Sequence, residues 1–323
     1  MKPENRVHGL GLQTDLSWVN LPENTNKPKI TVEGNIEETS TDHKRSLEET
    51  TLDAWHTKAT MYEYVISGDA TIQVTGKNIN AALHLTIKEG TNATLHIIQN
   101  IEGTNGLSTD ITAEKNSDTK VIQRGKTTKE TFLYGRRDAH LQDEARLDWI
   151  QAETGGKTTV TITKNYLDGD NARSEITHLY AGIKKNEFDV EMESHHTGEN
   201  SYSFIRSRGI LKNSKSTTRG LVRINKPAFS SDGYQKSDVV LLDNNSNAVS
   251  IPDLEIRNHD VKCSHGSTIS DLDKTKLHYM KTRGIHEKTA QKTLIHGFFS
   301  KYIPEEAQEE LEHQLIEPLQ KEL

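Results

Sequence analysis

The sequence has little of what defines several common protein classes. It holds one cysteine in 323 residues, which excludes an internal disulfide framework. No apolar stretch approaches the roughly 20 residues of a membrane span, and the first residues lack the apolar segment of a signal peptide. We therefore expect a protein of the reducing cytoplasm that has no membrane association.

A basic excess is also missing. The chain has 40 Lys and Arg against 47 Asp and Glu, a net charge of −7, whereas nucleic-acid-binding surfaces need clear positive charge. We expect no nucleic-acid partner. Apolar residues make up only 32% of the chain and the mean hydropathy is −0.74. Because the apolar residues nonetheless recur in short alternating runs, the composition predicts an elongated folded body with much solvated surface.

From about Arg45 to Arg257 the chain has the pattern of short β-strands. Apolar and polar residues alternate, threonine is abundant, and Gly, Asn and Asp separate the runs at the roughly 8–12-residue spacing of all-β proteins. Clear examples are Met61–Ile66, Ala70–Val74, Ala82–Ile87 and Ala93–Ile98. A sandwich, a barrel and a parallel solenoid all fit this rhythm, and no repeat of fixed length selects among them.

After this region the period changes to that of helices. Ser270 to Asp273 has the S-x-x-D form of a capping box, which predicts a helix start there. A second helix is expected from about His286 to Tyr302. Pro304 then opens a third helix, in the position proline tolerates best, and Pro318 ends or kinks it.

The segment Asp260–Thr268 carries the only cysteine, Cys263, with His265 two residues on. On an extended strand these two side chains leave the same face. A thiolate beside an imidazole can ligate iron, zinc or a sulfur species. Without further context, such a cysteine is more often a buried structural thiol.

This segment and its surroundings closely resemble the carboxy-terminal region of SufB and SufD proteins, the iron–sulfur cluster assembly subunits that work with the SufC ATPase. The similarity is strongest from about Arg206 to Tyr302. It rests on Arg208-Gly209-Ile210-Leu211, Arg219-Gly220-Leu221-Val222, Pro252-Asp253-Leu254-Glu255-Ile256, Lys262-Cys263-Ser264-His265-Gly266-Ser267-Thr268 and Arg283-Gly284-Ile285. The resemblance implies an all-β parallel β-helix core at 46–268, a small C-terminal α-helical domain at 269–323, and a preceding polar arm at 1–45 with Trp18.

The resemblance also implies a function. Two subunits would pair through their β-helices, as a homodimer or with a paralogue, and present Cys263 and His265 to a transient iron–sulfur cluster or iron. The helical domain would dock on a SufC-like ABC ATPase, and recipient apo-proteins would take the cluster. The chain is expected to be a non-enzymatic scaffold that binds no nucleotide, because its two Gly-Lys-Thr tripeptides have Lys120 and Gln151 where a P-loop needs glycine.

Two alternatives stay open. The Cys263 segment resembles SufD, and Ser237 stands where SufB carries a further cysteine, whereas Ile295–Phe299 resembles the SufB ending. The chain could therefore be a SufD-like structural or iron-supply subunit that needs a separate SufB-type scaffold. A β-helix polysaccharide lyase is the alternative from another class. The adjacent histidines His195 and His196 lie near two glutamates, but they are predicted to point to opposite faces and to make a poor chelate.

Overall fold

The fold was analysed in a computed structural model, which describes residues 6–7, 10–11, 21–22, 24–39 and 55–323. Trp18 and residues 46–54 lie outside these ranges. The strands are β1 (Arg6–Val7), β2 (Leu10–Gly11), β3 (Lys29–Thr39), β4 (Thr60–Lys77), β5 (Asn80–Ile87), β6 (Asn92–Glu102), β7 (Thr104–Ala113), β8 (Asp118–Thr127), β9 (Phe132–Leu141), β10 (Arg146–Thr154), β11 (Thr158–Leu167), β12 (Arg173–Ile183), β13 (Glu187–His196), β14 (Tyr202–Lys212), β15 (Lys215–Ile224), β16 (Asp232–Leu241), β17 (Asn247–Ile256) and β18 (Lys262–Asp271).

Strands β4 to β18 wind into a parallel β-solenoid with two walls. Odd-numbered strands stack in one wall and even-numbered strands in the other, in the order β17-β15-β13-β11-β9-β7-β5-β4-β6-β8-β10-β12-β14-β16-β18. The long strand β4 belongs to both walls, because Thr60–Ile66 pairs with β5 and Ala70–Lys77 pairs with β6. The predicted parallel β-helix is confirmed.

Alternation along each strand sends every second side chain into the solenoid. The first turns are filled by aliphatic residues such as Ile72, Leu83, Leu95 and Ile97, all fully buried. Further along, the interior becomes polar. Arg137 donates to Glu153 at 2.7 Å, and His178 lies 3.1 Å from the other oxygen of that carboxylate.

The two ends of the solenoid differ. At the N-terminal end, β3 pairs antiparallel with β4, with a register shift between Gly34 and Ile36. At the C-terminal end, β17 and β18 are the last members of the strand order and each pairs with one neighbour. In the part of the chain that the structure describes, the solenoid therefore has a covered first turn and an open last turn.

Three helices follow β18: α1 (Lys274–Thr282), α2 (Glu287–Ser300) and α3 (Gln308–Lys321), with a 3-10 turn at Glu305–Ala307 before α3. The predicted capping box is wrong. Ser270 stays in β18, paired with Val240, and the cap is Asp273, whose carboxylate accepts from the Lys276 amide at 2.9 Å. Pro318 also does not end the last helix, because α3 continues through it to Lys321.

Helices α2 and α3 pack on the outer face of the even-numbered wall. Phe299, Leu311, Leu315 and Leu319 form a buried cluster with wall residues that include Ile122, Leu179 and Ile210. Two arginines of β14 reinforce the contact: Arg208 lies 4.0 Å from the Phe298 ring centroid, and Arg206 lies 4.9 Å from that of Tyr302. Because cation–π contacts strengthen when desolvated, they help to fix the helical domain on this wall.

Candidate functional site

Cys263 and His265 lie on β18, the last strand of the even-numbered wall. Cys263 pairs with Gly233 and His265 pairs with Gln235, an inward-facing residue that is 3% exposed. Parallel pairing keeps partners on the same face, so both side chains belong to the inner face of the last turn. The i, i+2 prediction of a shared face is confirmed. Cys263 is half-buried and His265 is exposed.

The thiol of Cys263 packs against a buried apolar cluster that includes Val222 and Val239. Its strand partner must be small, because a Cβ at Gly233 would lie 2.5 Å from Val222 Cγ1. Burial, and then the negative charge of Asp232, raise the pKa of the Cys263 thiol to about 11. The thiol is therefore protonated at neutral pH, and a metal that binds it must displace the proton.

Within one molecule these residues form an incomplete ligand set. Among the residues that the structure describes, no three His, Cys, Asp or Glu side chains converge closely enough to hold a metal ion. Cys263 and His265 supply two donors from one strand. A four-coordinate iron site would need further donors from a second molecule or from inorganic sulfide.

Ser237 lies one strand deeper, on β16, where it pairs with Ser267. Its side chain is 8% exposed, and its hydroxyl has no hydrogen-bond partner among the described residues. It faces the same interior as His265. Ser237, which the resemblance to SufB singled out, is therefore an inward-facing residue near the open end. The role of Ser237 stays a prediction.

The rim of the open end is apolar. Ile256 and Ile269 occupy inward positions whose partners one turn below, Ile224 and Val239, are at most 2% exposed. At the last turn, however, Ile256 is 48% and Ile269 is 42% exposed. Exposed apolar side chains on an unpaired strand edge mark a surface that can take another chain.

The adjacent helix α1 forms a second candidate contact surface. It has no buried side chain, and Tyr279 is 59% exposed. One basic residue contacts this ring: Arg283 lies 5.3 Å from its centroid. Exposed tyrosine and arginine side chains are common in protein contacts.

The predicted opposite orientation of His195 and His196 is confirmed. His196 faces inward and lies 2.7 Å from the hydroxyls of both Ser201 and Ser203. His195 faces outward, 2.5 Å from a Glu193 carboxylate oxygen. The outward side belongs to a charged cleft that includes Arg219 and Arg223. Sequence reasoning gave these arginines no role, although their i, i+4 spacing on a strand placed them on one face.

Comparison with known proteins decides the family. Residues 53–298 match the family model for the SufBD core domain, described as SUF system FeS cluster assembly. The chain belongs to the SufBD family. The matched region contains the solenoid from β4 onward together with Cys263, His265, α1 and most of α2.

Individual relatives agree with this assignment. An iron–sulfur cluster assembly SufBD family protein of Mycobacterium leprae is 31% identical over 184 residues, which cover 55% of this chain and 21% of the relative. One from Synechocystis sp. is 30% identical over 155 residues, covering 48% and 32%. The iron–sulfur cluster assembly protein SufB of Bacillus subtilis is 29% identical over 169 residues, covering 51% and 36%. The matched part thus spans about a fifth to a third of these relatives.

The family assignment favours cluster assembly over the polysaccharide lyase alternative. Within the described part of the chain, no helix has both the length and the apolar character needed to cross a bilayer.

Proposed function

We propose that this SufBD chain is a non-enzymatic scaffold subunit on which a nascent iron–sulfur cluster is assembled between two subunits and then passed to recipient apo-proteins. The observation that carries the proposal is the position of Cys263 and His265 on the last strand, with the thiol half-buried and not sealed inside one subunit. A two-fold axis at this edge repeats each ligand. Two thiolates and two imidazoles form a soft donor set that suits iron and iron–sulfur clusters.

The open edge supports pairing with a second copy of the chain or with a paralogue. Strands β17 and β18 end the strand order, and Ile256 and Ile269 leave an apolar rim around the Cys263 position. Joining two such ends would remove this apolar surface from water at roughly 25 cal/mol per Å². It would also bring the two thiols toward each other.

The helical domain supports docking of a SufC-like ABC ATPase. It is held firmly on the even-numbered wall by α2 and α3, whereas α1 keeps every side chain at least partly accessible. An ATPase that binds there would sit next to the proposed cluster site. ATP binding and hydrolysis would then belong to the partner, and the SufBD chain would work with it in the reducing cytoplasm, where Cys263 stays a thiol.

Anaerobic reconstitution with ferrous iron and sulfide tests the scaffold role. We expect the purified chain to develop sulfide-to-iron charge-transfer absorption in the visible range, and we expect Cys263→Ala to lose most of it. Ser264→Ala is the matched control, because Ser264 is the next residue on β18 but points to the other face. Equal absorption in the Cys263→Ala and wild-type proteins would remove the thiol from the mechanism.

The proton held by the thiol adds a pH test. Because the pKa of Cys263 is about 11, iron must displace one proton per thiol at neutral pH. Iron affinity should therefore rise with pH, by up to about tenfold per unit for each thiolate that binds. A pH-independent affinity between pH 6.5 and 8.5 would show that iron is held elsewhere.

A SufD-like structural or iron-supply role is the second candidate. The single cysteine and Ser237 favour it, since this chain has no second thiol of its own. Native mass spectrometry of the chain alone separates the two roles. A stable homodimer that carries a cluster supports the scaffold, whereas a monomer that gains a cluster only with a SufB-type subunit supports the supply role.

A further inference from the structure

A charged cleft of about 640 Å³ lies on the outer face of the odd-numbered wall, on the other side of that wall from the solenoid interior. It is built from neighbouring strands β11, β13, β15 and β17, whose outward residues include Lys164, Glu193, His195, Arg219, Arg223 and Glu255. The volume is within the range of small-molecule sites, roughly 300–1,000 Å³. None of these residues takes part in the proposed cluster site.

Two arginines of β15 face this cleft and are used differently. Arg223 grips Glu255 with the Nε/Nη2 edge of its guanidinium, at 2.7 Å to Oε2 and 3.0 Å to Oε1. Arg219 lies four residues earlier on the same face. Its Nη1 donates to Asp189, but its Nε and Nη2 have no hydrogen-bond acceptor among the described residues.

This edge of Arg219 is buried as well as unfilled, since the side chain is 5% exposed. Leaving buried donors of a cation without acceptors is destabilising. The Nε/Nη2 pair is the planar fork that matches two oxygens of a carboxylate or a phosphate. In the same cleft, the equivalent Nε/Nη2 pair of Arg223 binds the carboxylate of Glu255.

Of the four carboxylates that line the cleft, Glu193 and Glu255 are engaged with other cations. The Oε1 atom of Glu193 lies 3.3 Å from Lys164 Nζ and its Oε2 lies 2.5 Å from His195 Nε2. Glu255 is held by Arg223. Burial, and then the neighbouring Glu193, raise the pKa of Glu191, which disfavours a negative charge on this carboxyl.

We infer that the cleft binds a small molecule that carries an oxyanion group, carboxylate or phosphate, with two of its oxygens in the Nε/Nη2 fork of Arg219. Tyr166 also lines the cleft, with its ring stacked between His140 at 4.5 Å and His195 at 4.9 Å. Because the site is on the outer face, occupation of the cleft leaves Cys263 and the open edge accessible.

Calorimetric titration of the full chain at constant ionic strength tests this inference. Inorganic phosphate and succinate are the two probes, and saturable one-site binding of at least one of them is expected. Binding of succinate alone identifies a carboxylate ligand, binding of phosphate alone identifies a phosphate ligand, and binding of both supports the shared oxyanion site. Failure of both probes to saturate overturns the inference.

Arg219→Lys keeps the positive charge but removes the fork, and should weaken binding by about 10- to 100-fold. The control is Lys215→Gln, which removes a charge from a 68% exposed side chain on the same strand and should leave binding unchanged. Unweakened binding by Arg219→Lys, or equal loss in the control, contradicts the site. Arginine Nε–H resonances of the wild-type protein give a readout that does not depend on variant folding: one should shift with saturation, and none shifting contradicts the assignment.

Discussion

The two ends of the solenoid are finished in opposite ways. The first turn is covered by β3, an antiparallel strand that carries Glu33, Glu37 and Glu38 and has a register shift after Gly34. Charge and irregular pairing are devices that protect a strand edge from other chains. Among the described residues, the last turn has neither a cover nor a shift: β18 pairs regularly with β16 along its length and has its charged side chains only at Lys262 and Asp271. The N-terminal end therefore discourages pairing with another chain, and the C-terminal end permits it.

The interior changes along the same axis. In the middle turns, the buried carboxylate of Glu153 meets Arg137 and His178, although the Nδ1 atom of His178 and the Thr161 hydroxyl have no hydrogen-bond partner among the described residues. Near the open end, the Ser237 hydroxyl has no partner among the described residues and the Cys263 thiol is half-buried. Polar groups that are satisfied stabilise a core, whereas those left unsatisfied point to a function or to a missing partner. Within the described part of the chain, unpartnered hydroxyls occur along the whole solenoid, so the open end is distinguished by the charge-paired interior carboxylate that it lacks and by its exposed apolar rim, Ile256 and Ile269.

The largest effect is expected in the middle turns. Glu153→Gln leaves the buried Arg137 without its countercharge and should lower the free energy of unfolding by about 3–5 kcal/mol. Ser237→Ala is the contrast: it removes an unsatisfied hydroxyl and should change stability by less than about 1 kcal/mol. Urea unfolding measures both. Similar losses in the two variants would contradict the contrast between the middle and the end.

The same carboxylate predicts a pH effect on the wild-type protein. Burial alone would raise its pKa, but Arg137 and His178 outweigh burial and lower the pKa of Glu153 to about 2. A lowered pKa contributes stability above the unfolded value, near 4.5, which is lost as the pH falls toward about 2. Between these pH values the wild type should lose stability more steeply than Glu153→Gln. Parallel pH profiles would contradict this.

The edge contrast can be broken directly with one charge at each end. Ile269→Lys puts a cation into the apolar rim, next to its symmetry mate in a paired complex, and should weaken pairing by about 100-fold. Val32→Lys is matched in exposure, 38% against 42% for Ile269, but it lies on the covered end and should leave pairing intact. Analytical ultracentrifugation measures both. If Val32→Lys were the variant that separates the subunits, the pairing surface would be at the N-terminal end of the solenoid and not at the C-terminal end.

The cover of the first turn depends on Gly34. Its φ is +102°, and a Cβ there would lie 2.3 Å from the Asp69 carbonyl oxygen. Gly34→Val should therefore loosen β3 and cost about 1–3 kcal/mol of unfolding free energy. Gly266→Ala, at the open end, meets only Tyr234 at 3.4 Å and should cost less. Melting temperatures compare them, and a larger loss in Gly266→Ala would contradict the assignment.

The strand rhythm was predictable from the sequence, but the winding was not. Alternation determines which face a residue occupies and says nothing about which strand lies beside it. The turns also differ in length: the paired residues Phe132 and Thr158 are 26 positions apart, whereas Lys215 and Asn247 are 32 apart. Variable turns erase a fixed repeat, and so the parallel β-helix followed from family resemblance and not from periodicity.

The site was predictable only in part. The shared face of Cys263 and His265 follows from strand alternation, whereas their location on the last turn depends on the winding. The helix start was misjudged because Ser270 and Asp271 remain paired to β16, a long-range contact that a local capping pattern cannot reveal. The unfilled fork of Arg219 was equally hidden, since it depends on which acceptors neighbouring strands bring to β15.

The smallest effect concerns the electrostatics of the open end. Asp232 lies beside the Cys263 segment on β16, and its charge adds to burial in raising the pKa of the thiol. Asp232→Asn should lower that pKa, because the thiolate no longer forms near a negative charge, and alkylation by iodoacetamide should accelerate at about pH 8–9. Asp260→Asn is the control, since it removes a charge from the preceding turn, and its alkylation profile should match the wild type. Unchanged alkylation in Asp232→Asn would leave burial as the only cause of the raised pKa of Cys263. The reactivity of the thiol would then depend on packing alone, including the packing that a second subunit adds.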